Sequence, residues 1–347
     1  MSIRVGIVCP SEIAFRRFLP SLQKISEFTF VGVAVATPEE WFCDELSSLS
    51  QELISKMLAV EMEKAKKFVD TFGGQIFIGY NTLITSPIVD VVYIPLPPAL
   101  HFKWTRVALK SGKNVYVEKP FTTNLEDTQT LLSIAKEKKL VVHENYMFIY
   151  HQQLQVIQDL IVKGEIGKVR QYRISFGFPR RSTNDFRYNK ELGGGALLDA
   201  GGYCMKYASW LLGDTARLVC ANAYYESEFD VDIFGSCTMT NDVGTIVQIS
   251  FGMDCDYKCE LEAWGSTGTL TTGRILTAPD GFEPDMVIKR NQEYISMKLP
   301  ADDAFGKSIR RFYDCLTKDS IREDNYCIIE RQSVFINDFK KLINNGY

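Results

Sequence analysis

The feature that most constrains this 347-residue chain is a change of rhythm just before residue 150. Up to that point short apolar runs alternate with helical patterns. The runs at 5–8, 28–36, 76–78, 89–94, 114–117 and 140–143 read as strands. A helical stretch at 11–26 follows the first, and another begins at Asn124, an N-cap residue that puts Leu125, Thr128, Leu132 and Ala135 on one stripe. Strands alternating with helices specify a parallel, doubly wound α/β sheet. The stretch 38–73 is longer than a usual crossover and is expected to add an extra helical turn or two. Its charges Glu61, Glu63, Lys64, Lys66 and Lys67 read as a solvated helix face.

Beyond the change, Leu154, Ile157, Leu160 and Ile161 mark a helix that Gly164 can end. Tyr172, Ile174 and Phe176 alternate with Arg173 and Ser175, as in a half-buried strand. Further β-rich runs at 233–240, 245–253, 257–264 and 267–272 follow without intervening helices, which implies an open antiparallel or mixed sheet. Helical stretches near 302–317 and 324–344 close the chain. The expected organisation is an α/β domain over 1–146 and an α+β domain over 147–347, whose final helix can pack back on the first domain.

A formal charge of −4, from 39 basic and 43 acidic residues, gives no footprint for nucleic acid, and no basic run suggests an anionic membrane surface. The N-terminus runs straight into a strand, which predicts neither a signal peptide nor a membrane span. The nine cysteines, at 9, 43, 204, 220, 237, 255, 259, 315 and 327, form no C-x-x-C pair, and Cys255 and Cys259 have no partners to complete a metal site. Scattered thiols of odd number point to the cytoplasm. His143 and His151 read as structural.

Two short segments carry chemistry. In Gly193-Gly-Gly-Ala-Leu-Leu-Asp-Ala-Gly-Gly-Tyr203, the spacing of Asp199 and Tyr203 puts both on one face of the first turn of a helix, and the glycines let backbone pass close to a bound molecule. The other segment, Glu118-Lys119-Pro120, follows the apolar strand at 115–117. An ammonium, a carboxylate and a phenol on separate elements can surround one carbonyl and handle its proton, which indicates redox chemistry on an alcohol or ketone. For each there is a plainer reading. Lys119 can be a surface lysine pairing with Glu118, and Tyr203 can be an aromatic packed beside Tyr207.

These elements in this order, with Ile94-Pro-Leu-Pro-Pro-Ala-Leu-His101 between them, resemble the Gfo/Idh/MocA oxidoreductase family over nearly the whole chain. Within it, the loop from Gly6 to Pro20 is most similar to that of the nucleotide-sugar C-3 ketoreductases, which use NADPH to reduce a keto group on a dTDP-linked hexose. Taken by itself the loop is a weak fingerprint: Cys9, Ser11 and Ala14 stand where glycines would admit a pyrophosphate.

The resemblance implies that the cofactor lies against Cys9, Pro10, Ser11, Glu12, Ile13, Ala14 and Phe15, then Ala36 and Thr37, and that Tyr80, Leu96, His101, Glu118, Lys119, Arg187 and Asp199 complete its surroundings. A histidine satisfied by backbone is an equal reading of His101, and a salt bridge to Asp185 an equal reading of Arg187. Arg17, Lys119, Tyr203, Tyr257 and Thr277 are implied on the substrate side. With tyrosine at 203 the chain resembles the sugar ketoreductases and the glucose–fructose oxidoreductase-like members rather than the inositol-dehydrogenase-like members, which carry histidine there. No acid follows the second strand at Ala36-Thr37-Pro38, so NADP(H) is favoured by a small margin over NAD(H).

The function these residues imply is reduction of a keto group on a nucleotide-linked sugar. Hydride comes from nicotinamide C4 and the proton from Lys119, with Tyr203 and Asp199 assisting; no metal takes part. Two other readings stay open at this point: a dehydrogenase of a free sugar, polyol or cyclic diol, and a cofactor-sensing regulator without catalysis. The exposed face of the second sheet is expected to support a homodimer or homotetramer.

Overall fold

A computed structural model describes residues 2–42 and 50–344. The chain separates into two compact units. Among the described residues, the first holds 2–42, 50–122, 126–145 and 308–329; the second holds 123–125, 146–307 and 330–344.

In the first unit six strands form one sheet: β1 (Ile3–Val8), β2 (Phe28–Val35), β3 (Gln75–Ile78), β4 (Val91–Ile94), β5 (Asn114–Glu118) and β6 (Val142–Asn145). Every pairing is parallel and the order is β3-β2-β1-β4-β5-β6. Strands buried on both faces must be apolar where they are covered, as β4 is throughout and β5 is at Val115, Tyr116 and Val117 between its polar ends. The connecting helices are α1 (Leu19–Leu22), α2 (Pro38–Phe42), α3 (Gln51–Phe72), α4 (Tyr80–Thr85), α5 (Pro98–Lys110) and α6 (Leu125–Lys138). Strand order reverses between β1 and β4, so the carboxyl ends of these two strands open a crevice of the kind in which α/β sheets bind ligands.

The second unit is built on α7 (Gln152–Val162), α8 (Gly202–Leu212) and an eight-stranded sheet. Its strands are β7 (Val169–Gly177), β8 (Arg217–Tyr225), β9 (Asp232–Thr240), β10 (Ile246–Gly252), β11 (Lys258–Gly265), β12 (Thr269–Gly273), β13 (Asp285–Arg290) and β14 (Glu293–Lys298). Their order is β14-β13-β12-β11-β7-β10-β9-β8, with only β7 and β10 parallel. Tyr172, Ile174 and Phe176 face the core, whereas Arg173 faces out and pairs with Glu262 at 3.3 Å. Two last helices, α9 (Ala304–Thr317) and α10 (Asp319–Asn344), each contribute residues to both units.

The structure refines several sequence readings. The insertion at 38–73 yields not a turn or two but a 22-residue helix, α3. Ser50 caps it by accepting from the Leu53 N–H at 3.2 Å, and its Phe68 and Phe72 pack edge-on against Phe15. Cys43 lies outside the described residues. The sixth strand begins at Val142 rather than near 140, because the Leu140 N–H still bonds the Ala135 carbonyl as α6 ends. Strands β8, β13 and β14 were not resolved individually in the sequence. The Asp199 turn is not a regular α-helix: Leu197–Gly201 is π-helical and the α-helix starts at Gly202, so an i, i+4 pair there does not share an α-helical face.

Phe251 organises the second core. It is 1% exposed, its ring meets Phe339 at 5.6 Å between centroids, and a Cβ at Gly201 would come within 3.0 Å of it. Phe251→Ala is expected to destabilise the second unit by about 3–5 kcal/mol, measured by urea unfolding followed by circular dichroism. A loss under 1 kcal/mol would contradict this packing.

Candidate active site

At the end of β1 the chain must turn sharply. Cys9 does so with φ at +80°, a left-handed conformation that side chains seldom adopt and glycine normally supplies. Its N–H bonds the Ala34 carbonyl at 3.2 Å, and the Ser11 N–H returns to the Cys9 carbonyl at 2.9 Å. Ser11 Oγ then accepts from the Ala14 N–H at 3.2 Å. The first helical turn leaves the N–H groups of Glu12 and Ile13 without a preceding helical carbonyl, the chemistry a pyrophosphate needs. The missing glycine therefore costs the loop nothing in shape, and these residues fit a dinucleotide. Burial, then the Glu61 carboxylate, pushes the Cys9 thiol up to about 12, against a hydrogen bond with Tyr80. Of the other residues expected here, Phe15 packs on α3, Arg17 is half-buried on the next turn, and Ala36 is buried at the end of β2.

Thr37 and Glu40 form a capping box, a Thr-x-x-Glu pattern present in the sequence that the residue-by-residue reading missed. The Glu40 N–H donates to Thr37 Oγ1 at 3.3 Å, and the Thr37 N–H donates to Glu40 Oε2 at 3.1 Å. The same carboxylate accepts from the N–H groups of Tyr80 at 2.7 Å and Asn81 at 2.9 Å. An acid thus does stand at the end of β2, brought there by the fold three residues past Thr37.

The ends of β4 and β5 are tied by His101. It is fully buried, with Nδ1 2.7 Å from the Pro120 carbonyl and Nε2 2.7 Å from the Leu96 carbonyl. A neutral imidazole carries one N–H, so it donates to one of these two carbonyls. Seated between them, the ring packs the Leu96 turn against the Lys119–Pro120 turn, the backbone-satisfied reading of this residue. Lys119 is half-buried directly after β5, and its bond to Pro120 is cis. Beneath it lies a polar network absent from the sequence analysis. Glu118 Oε1 accepts from the Tyr93 hydroxyl at 2.7 Å and from Asn145 Nδ2 at 2.8 Å. The Tyr116 hydroxyl bonds Asn145 Oδ1 at 2.7 Å and Ser308 Oγ at 2.8 Å, and His143 Nε2 lies 3.0 Å from Ser308 Oγ. Burial raises the Glu118 carboxyl above the usual carboxylate range, although the bonds from Asn145 and Tyr93 oppose it.

In the second unit, Asp199 Oδ2 accepts from Arg187 Nε at 2.6 Å, and Arg187 also pairs with Asp185 at 3.0 Å. Burial works against the guanidinium, but the two carboxylates outweigh it and raise its affinity for the proton. The glycines before Asp199 accommodate the protein's own chain: a Cβ at Gly194 would strike the Arg187 backbone, and Gly195, at φ +112°, abuts the Asp232 carboxylate. Asp232 Oδ2 accepts from the Leu197 N–H at 2.6 Å and so caps the turn that carries Asp199. Tyr203 is 9% exposed within an aromatic cluster, its ring 5.2 Å from Tyr146, 5.5 Å from Phe176 and 5.6 Å from Phe148. Tyr257 and Thr277 do meet, hydroxyl to hydroxyl at 3.0 Å. Arg274 joins them, donating to the Tyr257 hydroxyl at 2.7 Å with its guanidinium over that ring.

A parallel sheet in this strand order, with a phosphate-compatible turn at its switch point, defines a dinucleotide-binding fold. Residues 27–146 match the family model described as an oxidoreductase family with an NAD-binding Rossmann fold, and residues 154–271 match the Gfo/Idh/MocA C-terminal domain. The chain is 36% identical over 312 residues to a dTDP-3,4-didehydro-2,6-dideoxy-α-D-glucose 3-reductase of Actinomadura kijaniata, covering 89% of this chain and 86% of the relative. A reductase of the same name from Saccharopolyspora spinosa is 33% identical over 310 residues, again 89% and 86% of the two chains. The crystal structure of a 3-ketoreductase from A. kijaniata, in complex with NADP and TDP-benzene, superposes with a TM-score of 0.86 at 33% identity, covering 99% of this chain and 98% of that one. The chain belongs to the Gfo/Idh/MocA family of oxidoreductases.

Burial outweighs the two carbonyl contacts of His101 and holds its imidazole neutral down to about pH 4, against an ordinary 6.5. A base with a depressed folded-state value lends stability that is full above pH 6.5 and is lost as pH falls toward 4. His101→Gln removes that dependence. Urea unfolding should show wild type losing about 3 kcal/mol more than the variant between pH 7 and pH 4. Parallel pH profiles would disprove the neutral state of this ring.

Proposed function

We propose that this protein reduces a keto group on a nucleotide-linked deoxysugar, with NADPH favoured over NADH by a small margin. The similarity to the 3-reductases, over 89% of the chain, carries this reading. The residues expected for the chemistry stand with it: Lys119 after β5, and Asp199 and Tyr203 around the start of α8. When bound, the nicotinamide supplies hydride to the carbonyl carbon. Lys119 then gives its ammonium proton to the oxygen that gains the negative charge, stabilising the developing alkoxide by several kcal/mol, on the order of other preorganised donors. Tyr203 is the residue assigned to assist this proton transfer. Asp199, held by Arg187, fixes the turn from which Tyr203 projects. Tyr257, Thr277 and the adjoining Arg274 lend polar groups to the nucleotide portion.

The free-sugar reading is less favoured. A D-xylose 1-dehydrogenase of Haloferax volcanii is 28% identical over 67% of this chain, against 36% over 89% for the first 3-reductase. A sensor without catalysis has no need for Lys119, Asp199 and Tyr203 together. A cytoplasmic location belongs to the same proposal and rests on the scatter of cysteines. Among the described residues, no helix is long and apolar enough to cross a membrane.

The deciding assay follows NADPH oxidation at 340 nm with dTDP-linked 3-keto sugars beside free aldoses and polyols. Turnover confined to the free sugars would defeat the proposal. Lys119→Met should lower kcat by about a hundredfold or more while NADPH affinity stays within about threefold; retained turnover would refute the assignment of Lys119.

We further propose that the outward face of the second sheet pairs with another copy of this chain. Ile246, Gln171 and Trp264 lie in register across β10, β7 and β11, with Ile246 40% and Trp264 51% exposed. These two exposed apolar side chains, flanking Gln171 on one face of the sheet, support this reading. Trp264→Glu should shift light-scattering mass from oligomer to monomer; a wild-type monomer would end this reading.

A further inference from the structure

The capping box at the end of β2 bears on which cofactor the enzyme accepts. In this fold the end of the second strand meets the ribose of the adenosine, where a 2′-hydroxyl suits a carboxylate and a 2′-phosphate is repelled by one. The carboxylate of Glu40 is held there by backbone, accepting from Thr37, Tyr80 and Asn81 at 2.7–3.1 Å. Thr37 ends the β2 connection, and Tyr80 opens α4 directly after β3, so Glu40 spans two adjacent strand ends. It is not alone. Glu61, 8% exposed on α3, and Glu40 both act electrostatically on the Tyr80 phenol, which burial raises first. The nearby cation that pairs here is Lys64, already bound to Glu61 at 2.5 Å. Two carboxylates therefore act on this corner, and one of them is paired with Lys64.

We infer that Glu40 is the residue that limits this enzyme's preference for the phosphorylated cofactor, leaving NADH usable beside NADPH. The inference rests on the nicotinamide-dependent reading above. Three backbone bonds fix the Glu40 carboxylate, which cannot swing out of the way. Its position also differs from the usual one: the acid comes from the first turn of α2 rather than from the strand end itself.

The test uses two probes that need no catalysis, adenosine 2′,5′-bisphosphate and 5′-AMP, titrated by calorimetry into wild type and Glu40→Gln. Glutamine keeps an oxygen for the backbone N–H groups and removes the charge. The ratio of the two affinities should move toward the bisphosphate by about tenfold in the variant, and the change should shrink in high salt as screening replaces the lost repulsion. Glu40→Ala, with thermal unfolding as a control on folding, should move the ratio the same way. A ratio within twofold of wild type, or a bisphosphate that binds more weakly to both variants, would overturn the role of Glu40 while leaving the nucleotide site standing. Wild-type protein that binds neither probe would sink the nucleotide-site reading, and this inference with it.

Discussion

Everything proposed for this enzyme depends on where β5 ends, and a buried polar network fixes that end. Glu118 is the last residue of the strand, and its carboxylate is gripped by Tyr93 from β4 and Asn145 from β6. Tyr116, Ser308 and His143 continue the chain of bonds beneath it. A buried polar group left unbonded would cost more than the bond returns, so such a network tolerates only one arrangement. The next residue, Lys119, inherits that rigidity on one side. His101 supplies it on the other, through the Pro120 carbonyl. The lysine's backbone is thus set by its buried neighbours.

The second unit applies the same logic to Asp199. Its turn is capped by the Asp232 carboxylate, its side chain is taken by Arg187, and Gly195 leaves space for that cap where any side chain would collide. The glycine run that reads in sequence as room for a ligand is instead room for the protein itself. Arg187 and Asp185 form the salt bridge that stood as the plainer reading of that arginine, and Asp199 enlarges it. These ion pairs are partly buried, so they orient groups more than they stabilise the fold.

Much of the architecture was legible because periodicity reports burial directly. The alternation of Tyr172, Ile174 and Phe176 with polar residues gave β7, and the apolar runs gave the parallel strands. What escaped was whatever depends on partners far apart in the chain. Ser308 joins Tyr116 across 192 residues, and no local pattern announces that. The π-helical turn at Leu197–Gly201 was hidden for a related reason: the groups that cap it and pack on it, Asp232 and Phe251, lie far away in the chain. Glu40 was a different kind of miss. The capping-box spacing is visible in Thr37-Pro-Glu-Glu40, but only the fold shows the side chain reaching Tyr80 and Asn81.

Cysteine at the first turn has a chemical corollary. Oxidants and alkylating agents attack thiolates, and a thiol pushed up to about 12 is almost wholly protonated at neutral pH. The nucleotide turn therefore keeps a sulfur atom without becoming a redox liability. Peroxide or maleimide would modify Cys220 and Cys327, which are exposed, long before reaching the residue that shapes the loop.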